Sequence, residues 1–259
     1  MAEGPLAGTG VLVTRPRTQA TELVEAIEQQ GGQAFCFPVM EIVGNEPRVI
    51  RENAAAQATP DIVIFISRNA VEHGIRYTEG ALIAVIGPAT AGAVQAAGRV
   101  VDIEPSGGYD SEHLLAEAQL QEVSGKHIRI IRGSQGRELL AEALRARGAT
   151  VDYLSVYERR LPDVDLDTLA ELERRWRKGA INVITVMSVE SLSNLIRILP
   201  EWCAAQVATT PLVTPSGRVL KETLDRYPAS RPALAAGPGA DDMVQAIIAL
   251  HSTDSGTAP

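Results

Sequence analysis

The chain has 259 residues, 45% of them hydrophobic, enough to bury one large core or two of ordinary size. Its 32 acidic against 24 basic residues leave a formal net charge of -8, which argues against a nonspecific grip on nucleic acid or on an anionic membrane surface. The two cysteines, Cys36 and Cys203, are too few and too far apart for a disulfide framework or a zinc site, and are expected to be reduced and packed.

The opening segment MAEGPLAGTG lacks the basic-then-apolar order of a signal peptide, and no apolar run approaches the ~20 residues of a spanning helix, so a soluble cytoplasmic protein is expected. The first apolar run, VLV at residues 11–13, leads into a helical pattern that carries Leu23, Ala26 and Ile27 and stops at Gly31. The extended stretch QAFCFPVMEI follows, with Pro38 suited to a strand edge or exit. After the connector VGNEPRVIRENAAAQATP come two more apolar runs, residues 62–66 leading to Ser67 and residues 82–86 leading to GPATAG.

Residues 128–131 then begin the pattern again: Leu140, Ala143, Leu144 and Gly148 stand 117 positions after Leu23, Ala26, Ile27 and Gly31. A second extended stretch, TVDYLSVYERRLP, answers the first, with Pro162 near its exit. LPDVDLDTLAELERRWRKG reads as a connector with a surface helix, and runs at residues 183–186 and 212–213 answer those at 62–66 and 82–86. The tail HSTDSGTAP is expected to fray. Strands alternating with helices predict parallel α/β architecture, and the repeated offsets indicate two copies of one α/β unit.

Several chemistries are missing. There is no HExxH, no Cys-x-x-Cys pair, no G-x-S-x-G elbow and no GxxxxGK[ST] loop, and His73, His113, His127 and His251 are scattered, which points to solvated or capping histidines and no metal. The GTG at residues 8–10 precedes its strand, whereas a dinucleotide fingerprint follows one, so no nicotinamide or flavin cofactor is expected. What remains lies where strands hand over to helices: Thr14, Arg15, Ser67, Arg68, Gly87, Thr90, Arg132, Gly133, Ser134, Ser188, Ser191, Ser216 and Arg218. In an open parallel sheet those junctions gather at the carboxyl edge, where helix N-termini offer unpaired N–H groups to an anionic ligand. The competing reading is that the hydroxyls are simply N-caps.

VLVTRP, FISRNAV, IGPATAGAV, IRGSQGRELLAEALRARGATV and VYERRLP, in that order and spacing, resemble the uroporphyrinogen-III synthase family over residues 11–250. The resemblance implies two similar doubly wound, flavodoxin-like domains joined by a two-stranded β ladder. Domain one would comprise residues 1–35 and 162–259, domain two residues 42–154, and the crossover strands residues 36–41 and 155–161, with a substrate cleft between the domains. It implies hydroxymethylbilane as substrate, a linear tetrapyrrole with eight carboxylates. This closes to uroporphyrinogen III with loss of water and inversion of the last ring, through a spirocyclic intermediate and without a cofactor.

Tyr157, in VYERR, matches the family tyrosine proposed to donate a proton to the leaving hydroxyl; a free phenol keeps its proton at neutral pH, so it donates but is a poor base. Thr90 and Ser67 match family positions in the domain-two cleft. Thr14 and Arg15 match the TRP motif, where the arginine has sheet-edge bracing as its other reading. Arg132, Gly133, Ser134 and Ser188 fall at strand ends, and TPSGRV, with Ser216 and Arg218, departs from the GxxT-like turn of many relatives. A monomer without nucleic-acid or membrane partners is expected. Two other readings stand beside this one: a two-lobed anion-binding or sensor protein without catalysis, and a nucleotide or sugar-phosphate enzyme on the same fold.

Overall fold

Residues 4–78, 80–136 and 138–255 are described in a computed structural model of the chain. Its elements run β1 (Gly10–Val13), α1 (Arg17–Gln29), β2 (Gln33–Cys36), β3 (Glu41–Gly44), α2 (Pro47–Ala55), β4 (Ile62–Phe65), α3 (Arg68–Gly74), β5 (Leu82–Val85), α4 (Pro88–Ala96), α5 (Ser111–Ala116) and α6 (Ala118–Gln121). They continue with β6 (His127–Gly133), α7 (Leu139–Ala146), β7 (Thr150–Arg160), α8 (Leu166–Arg177), β8 (Val183–Thr185), α9 (Val189–Ile198), α10 (Glu201–Val207), β9 (Leu212–Thr214), α11 (Gly217–Arg226), β10 (Ala233–Leu234) and α12 (Ala240–Ser255). The chain divides into two units, residues 1–41 with 160–259, and residues 42–159.

The first unit holds a sheet in the order β10-β9-β8-β1-β2, with parallel pairing throughout. Because both faces of such a sheet are covered, its strands are continuous apolar runs, and alternate residues serve different cores. Leu12, Ile184 and Leu212 face the layer of Leu172, Trp176, Leu192 and Leu195. Val11, Val13, Val183 and Val213 face that of Leu23, Ile27, Met243 and Ile247.

The second unit repeats the plan in the order β3-β7-β6-β4-β5. Ile62, Ile64, Ile128 and Ile130 pack with Leu114, Leu140 and Leu144 on one face, while Val63, Phe65, Ile83, Val85 and Ile131 pack with Val71 and Val94 on the other. At ~1.5–3 kcal/mol for each fully buried aliphatic side chain, these layers supply most of the driving force. The helices α1 and α7 are each followed by a glycine in the left-handed region, Gly31 at φ 82° and Gly148 at φ 86°, as the sequence predicted.

Three expectations change. The outgoing extended stretch does not form one crossover strand over 36–41: residues 33–36 pair with β1, residues 37–40 are irregular, and the strand beside β7 is Glu41–Gly44. The irregular piece is tied down because Phe37 N–H donates to Val13 O at 2.9 Å, and Phe37 and Val39 are buried. The returning strand is one continuous run of 11 residues. The tail is helical through Ser255, carried by α12; the expected fraying of residues 256–259 lies outside the described residues.

His127 is not solvated. Its Nε2 lies 2.6 Å from Asp152 Oδ2, and Asp152 also accepts from Arg129 Nε at 2.8 Å and Nη2 at 3.0 Å. Arg129 is 3% exposed, and its Nη2 donates further to Ala58 O. The cluster lies at the amino end of β6, away from the strand ends that form the candidate site. Removing one partner of a buried pair leaves the other charge uncompensated, so Asp152→Ala should lower the unfolding free energy by about 3 kcal/mol. Urea denaturation checks this: the midpoint should fall at constant m-value and largely recover in Arg129→Met/Asp152→Leu, and an unmoved midpoint contradicts it.

Candidate active site

The carboxyl ends of β6 and β7 meet in an irregularity that sets the site. Arg132 pairs with Ser155 but Gly133 pairs with Tyr157, so Val156 is an extra residue in β7. Regular alternation would put Tyr153, Ser155 and Tyr157 on one face; the bulge instead brings Tyr157 in with Leu154 and Val156. The carbonyls loosened there are taken up by Asn45, whose backbone N–H donates to Val156 O and whose Nδ2 donates to Ser155 O, both at 2.9 Å. Ser134 N–H donates to Tyr157 O at 3.0 Å.

Tyr157 so turned is 2% exposed, and its hydroxyl lies 3.2 Å from Ser67 Oγ. Gly133 is what lets the ring lie there: a Cβ at this position would stand 2.8 Å from Tyr157 Cε2 and 2.9 Å from Cζ. The His73 ring is centred 6.1 Å from the Tyr157 ring. Ser67 itself caps α3, accepting from Ala70 N–H at 3.1 Å.

On the opposite face of the same sheet edge lies a cavity of about 360 Å³, lined by Ile66, Ile86, Ile130 and Leu140 with Arg132, Tyr109, Asp110 and Ser111. Arg132 is 8% exposed; its guanidinium lies 4.1 Å from the Tyr153 ring centre and Nη1 donates to Glu138 Oε1 at 3.2 Å, while Nε has no partner among the described residues. Tyr153 Oη donates to Glu138 Oε2 at 2.5 Å. That bond, with a smaller contribution from Arg132, holds the Glu138 carboxyl below its usual range, and burial followed by the same bond pushes the Tyr153 phenol up. Asp110 caps α5 through His113 N–H, and that bond, then the one to the His113 ring 2.6 Å away, lowers its pKa.

The other residues singled out in the sequence divide by unit. In the second unit Gly87 opens α4 against Tyr109, and Thr90, 4% exposed, sits in that helix's first turn. In the first unit Thr14 is 1% exposed and donates to Thr185 O at 2.6 Å, so its hydroxyl braces the sheet. Arg15 Nη2 donates to Pro238 O at 2.7 Å, its Nε is buried without a partner among the described residues, and burial lowers its pKa against an opposing pull from Glu22. Ser188 and Ser216 cap α9 and α11, accepting from Ser191 N–H and Val219 N–H, and Arg218 is exposed on α11. The capping reading thus holds locally for Ser67, Ser188 and Ser216.

Sequence reasoning missed Asn45, Tyr109, Asp110, Glu138 and Tyr153. The SGGYDSEH segment carried a signal, since Asp110 followed by an apolar helix pattern is an N-cap; nothing in the local sequence marks Asn45 as the partner of a bulge 110 positions away.

A family model described as uroporphyrinogen-III synthase HemD matches residues 21–245. The chain belongs to the uroporphyrinogen-III synthase family. Among curated relatives, the uroporphyrinogen-III synthase of Salmonella typhimurium is 32% identical over 201 residues, covering 74% of this chain and 80% of its own, and that of Escherichia coli is 30% identical over 205 residues with the same coverage. Among solved structures, the uroporphyrinogen-III synthetase of Helicobacter pylori shares the fold with a TM-score of 0.62 at 11% identity, covering 93% of this chain and 99% of that one. The activity that follows from membership is the cyclising lyase step of tetrapyrrole biosynthesis, and the reading as a binding or sensor protein without catalysis gives way to it. No helix among the described residues is long and apolar enough to cross a membrane, and no group of three His, Cys, Asp or Glu among them is placed to hold a metal ion.

Glu138 offers a titration test. A carboxyl whose folded pKa is depressed contributes stability above its unfolded value, near ~4.3, and loses it as pH falls through the lowered folded value. Tyr153→Phe should therefore move the Glu138 titration, followed by NMR, upward toward the ordinary range; an unmoved titration would show that Tyr153 does not hold it.

Proposed function

We propose that Tyr157 supplies the proton for departure of the hydroxyl from hydroxymethylbilane, and that the residues around the strand ends hold the tetrapyrrole while its two ends meet. The observation that carries this is the placement of a tyrosine hydroxyl 3.2 Å from Ser67 at the carboxyl end of a parallel sheet, by a bulge and a glycine that serve its ring. A phenol donates readily and accepts poorly near neutral pH, which suits loss of hydroxide as water and formation of a cationic azafulvene.

Most of the remaining work is steric. The bilane closes unaided to the uninverted isomer, so the protein must favour the inverted closure by orientation, a contribution worth roughly 7 kcal/mol or more in ideal cases. Arg132, with the apolar floor beneath it, suits one carboxylate arm and its methylenes. In the second unit the helix start at Gly87 offers amides and Ser134, whose amide is taken by Tyr157 O, offers its exposed hydroxyl; in the first unit the helix starts at Ser188 and Ser216 offer amides, with Arg15 and Arg218 adding charge. Thr90 is close to the same helix start as Gly87, whereas Thr14 serves through the sheet it braces.

The strand order β2-β1-β8-β9-β10 in the first unit, and its echo β7-β6-β4-β5 in the second, support the finer reading of two flavodoxin-like domains. A cytoplasmic monomer that binds neither nucleic acid nor membrane fits the acidic composition.

Tyr157→Phe should lower kcat for uroporphyrinogen III formation on the order of 10²-fold with the fold intact by circular dichroism. The share of uninverted isomer should rise as unaided closure competes. Unchanged kcat would remove Tyr157 from the mechanism without touching the family assignment.

A further inference from the structure

Tyr157 has the right chemistry but offers almost no surface, with Ile131, Leu154 and Val156 in the layer around its ring and Gly133 against it. Ser67, beside its hydroxyl, is partly exposed at the end of β4. A serine oxygen accepts two hydrogen bonds and donates one. One acceptor position is filled by Ala70 N–H. With the Tyr157 O–H in the second, the Ser67 proton is left free to point outward, and the two bonds it accepts make Ser67 a stronger donor.

We propose that Ser67 is the catalytic residue that meets the substrate and that Tyr157 acts through it, an inference that rests on Tyr157 being the proton source. As the C–O bond of the hydroxymethyl group breaks, the leaving oxygen takes the Ser67 proton and departs as water, while the Tyr157 proton moves to Ser67. The step leaves a cationic azafulvene and a tyrosinate hydrogen-bonded to Ser67. After the ring-closing C–C bond forms, the proton lost from the attacked pyrrole carbon returns along the same two oxygens and restores the phenol. The sum is one water lost and both hydroxyls regenerated. Ser67 thus serves in proton transfer rather than in anchoring a carboxylate, and the two roles differ in what they do to KM and kcat.

The test is a set of four variants assayed with freshly prepared hydroxymethylbilane: Ser67→Ala, Ser67→Thr, Tyr157→Phe and the Ser67→Ala/Tyr157→Phe double. Ser67→Ala should reduce kcat on the order of 10²-fold with KM little changed. Ser67→Thr, which keeps the hydroxyl, should restore most of it. The double variant should be no slower than the slower single one, since two groups on one proton path lose the same function once. Ser67→Ala also removes the α3 cap, so Asp165→Ala, which removes the comparable cap given by Asp165 to Thr168 N–H on α8, is the control and should keep kcat. Three results overturn the inference: Ser67→Ala at wild-type kcat while Tyr157→Phe is slow, a raised KM at unchanged kcat, or losses that multiply in the double variant. A Tyr157→Phe enzyme at full rate would instead overturn the role of Tyr157 on which the inference stands.

Discussion

The site depends on one extra residue in β7. In a regular parallel pair Tyr157 would project toward the α5 and α7 layer, on the side of Tyr153; with Val156 inserted it projects toward α3 and reaches Ser67. Every neighbour then has a task set by that displacement. Asn45 takes the carbonyls of Ser155 and Val156, Ser134 takes that of Tyr157, and Gly133 gives up its side chain to the ring. Bulges leave backbone groups unpaired, and in a largely buried edge such groups cost free energy unless matched, which is why this one has dedicated partners.

The same edge separates two environments on opposite faces of one sheet. On the α3 side the Tyr157 and Ser67 hydroxyls meet at 3.2 Å, suited to passing a proton between them. On the α5 and α7 side a guanidinium lies over the Tyr153 ring, tied to Glu138, beside an apolar cavity suited to a carboxylate on a short methylene arm. The acidic balance of the chain does not oppose an acidic substrate, because these local donors act over a few ångströms while the net charge is spread over the surface and screened.

Much of the plan was legible in the sequence. The paired apolar runs and helices, such as Leu23 and Ile27 against Leu140 and Leu144, follow from periodicity, and Gly31 and Gly148 end their helices because a left-handed residue is needed there. The strand-end residues were found because a parallel sheet has only one edge where such residues gather. What the sequence could not give was which hydroxyls face outward. Thr14 and Ser67 look alike as residues after a strand, yet one is locked onto Thr185 O and the other stands beside a buried phenol. Register decides that difference, and a one-residue bulge, paired across more than a hundred positions by Asn45, leaves no periodic trace. The ion pair of His127 leaves no trace in the sequence for the same reason, its partner Asp152 being set by the β6–β7 register.

The proposed path requires a proton in flight from the hydroxyl pair as water leaves the bilane. The most direct measurement is the single-turnover rate of that step in H2O and in D2O with the unmodified protein. The rate should fall in D2O; equal rates in the two solvents would rule out a proton in flight at that step.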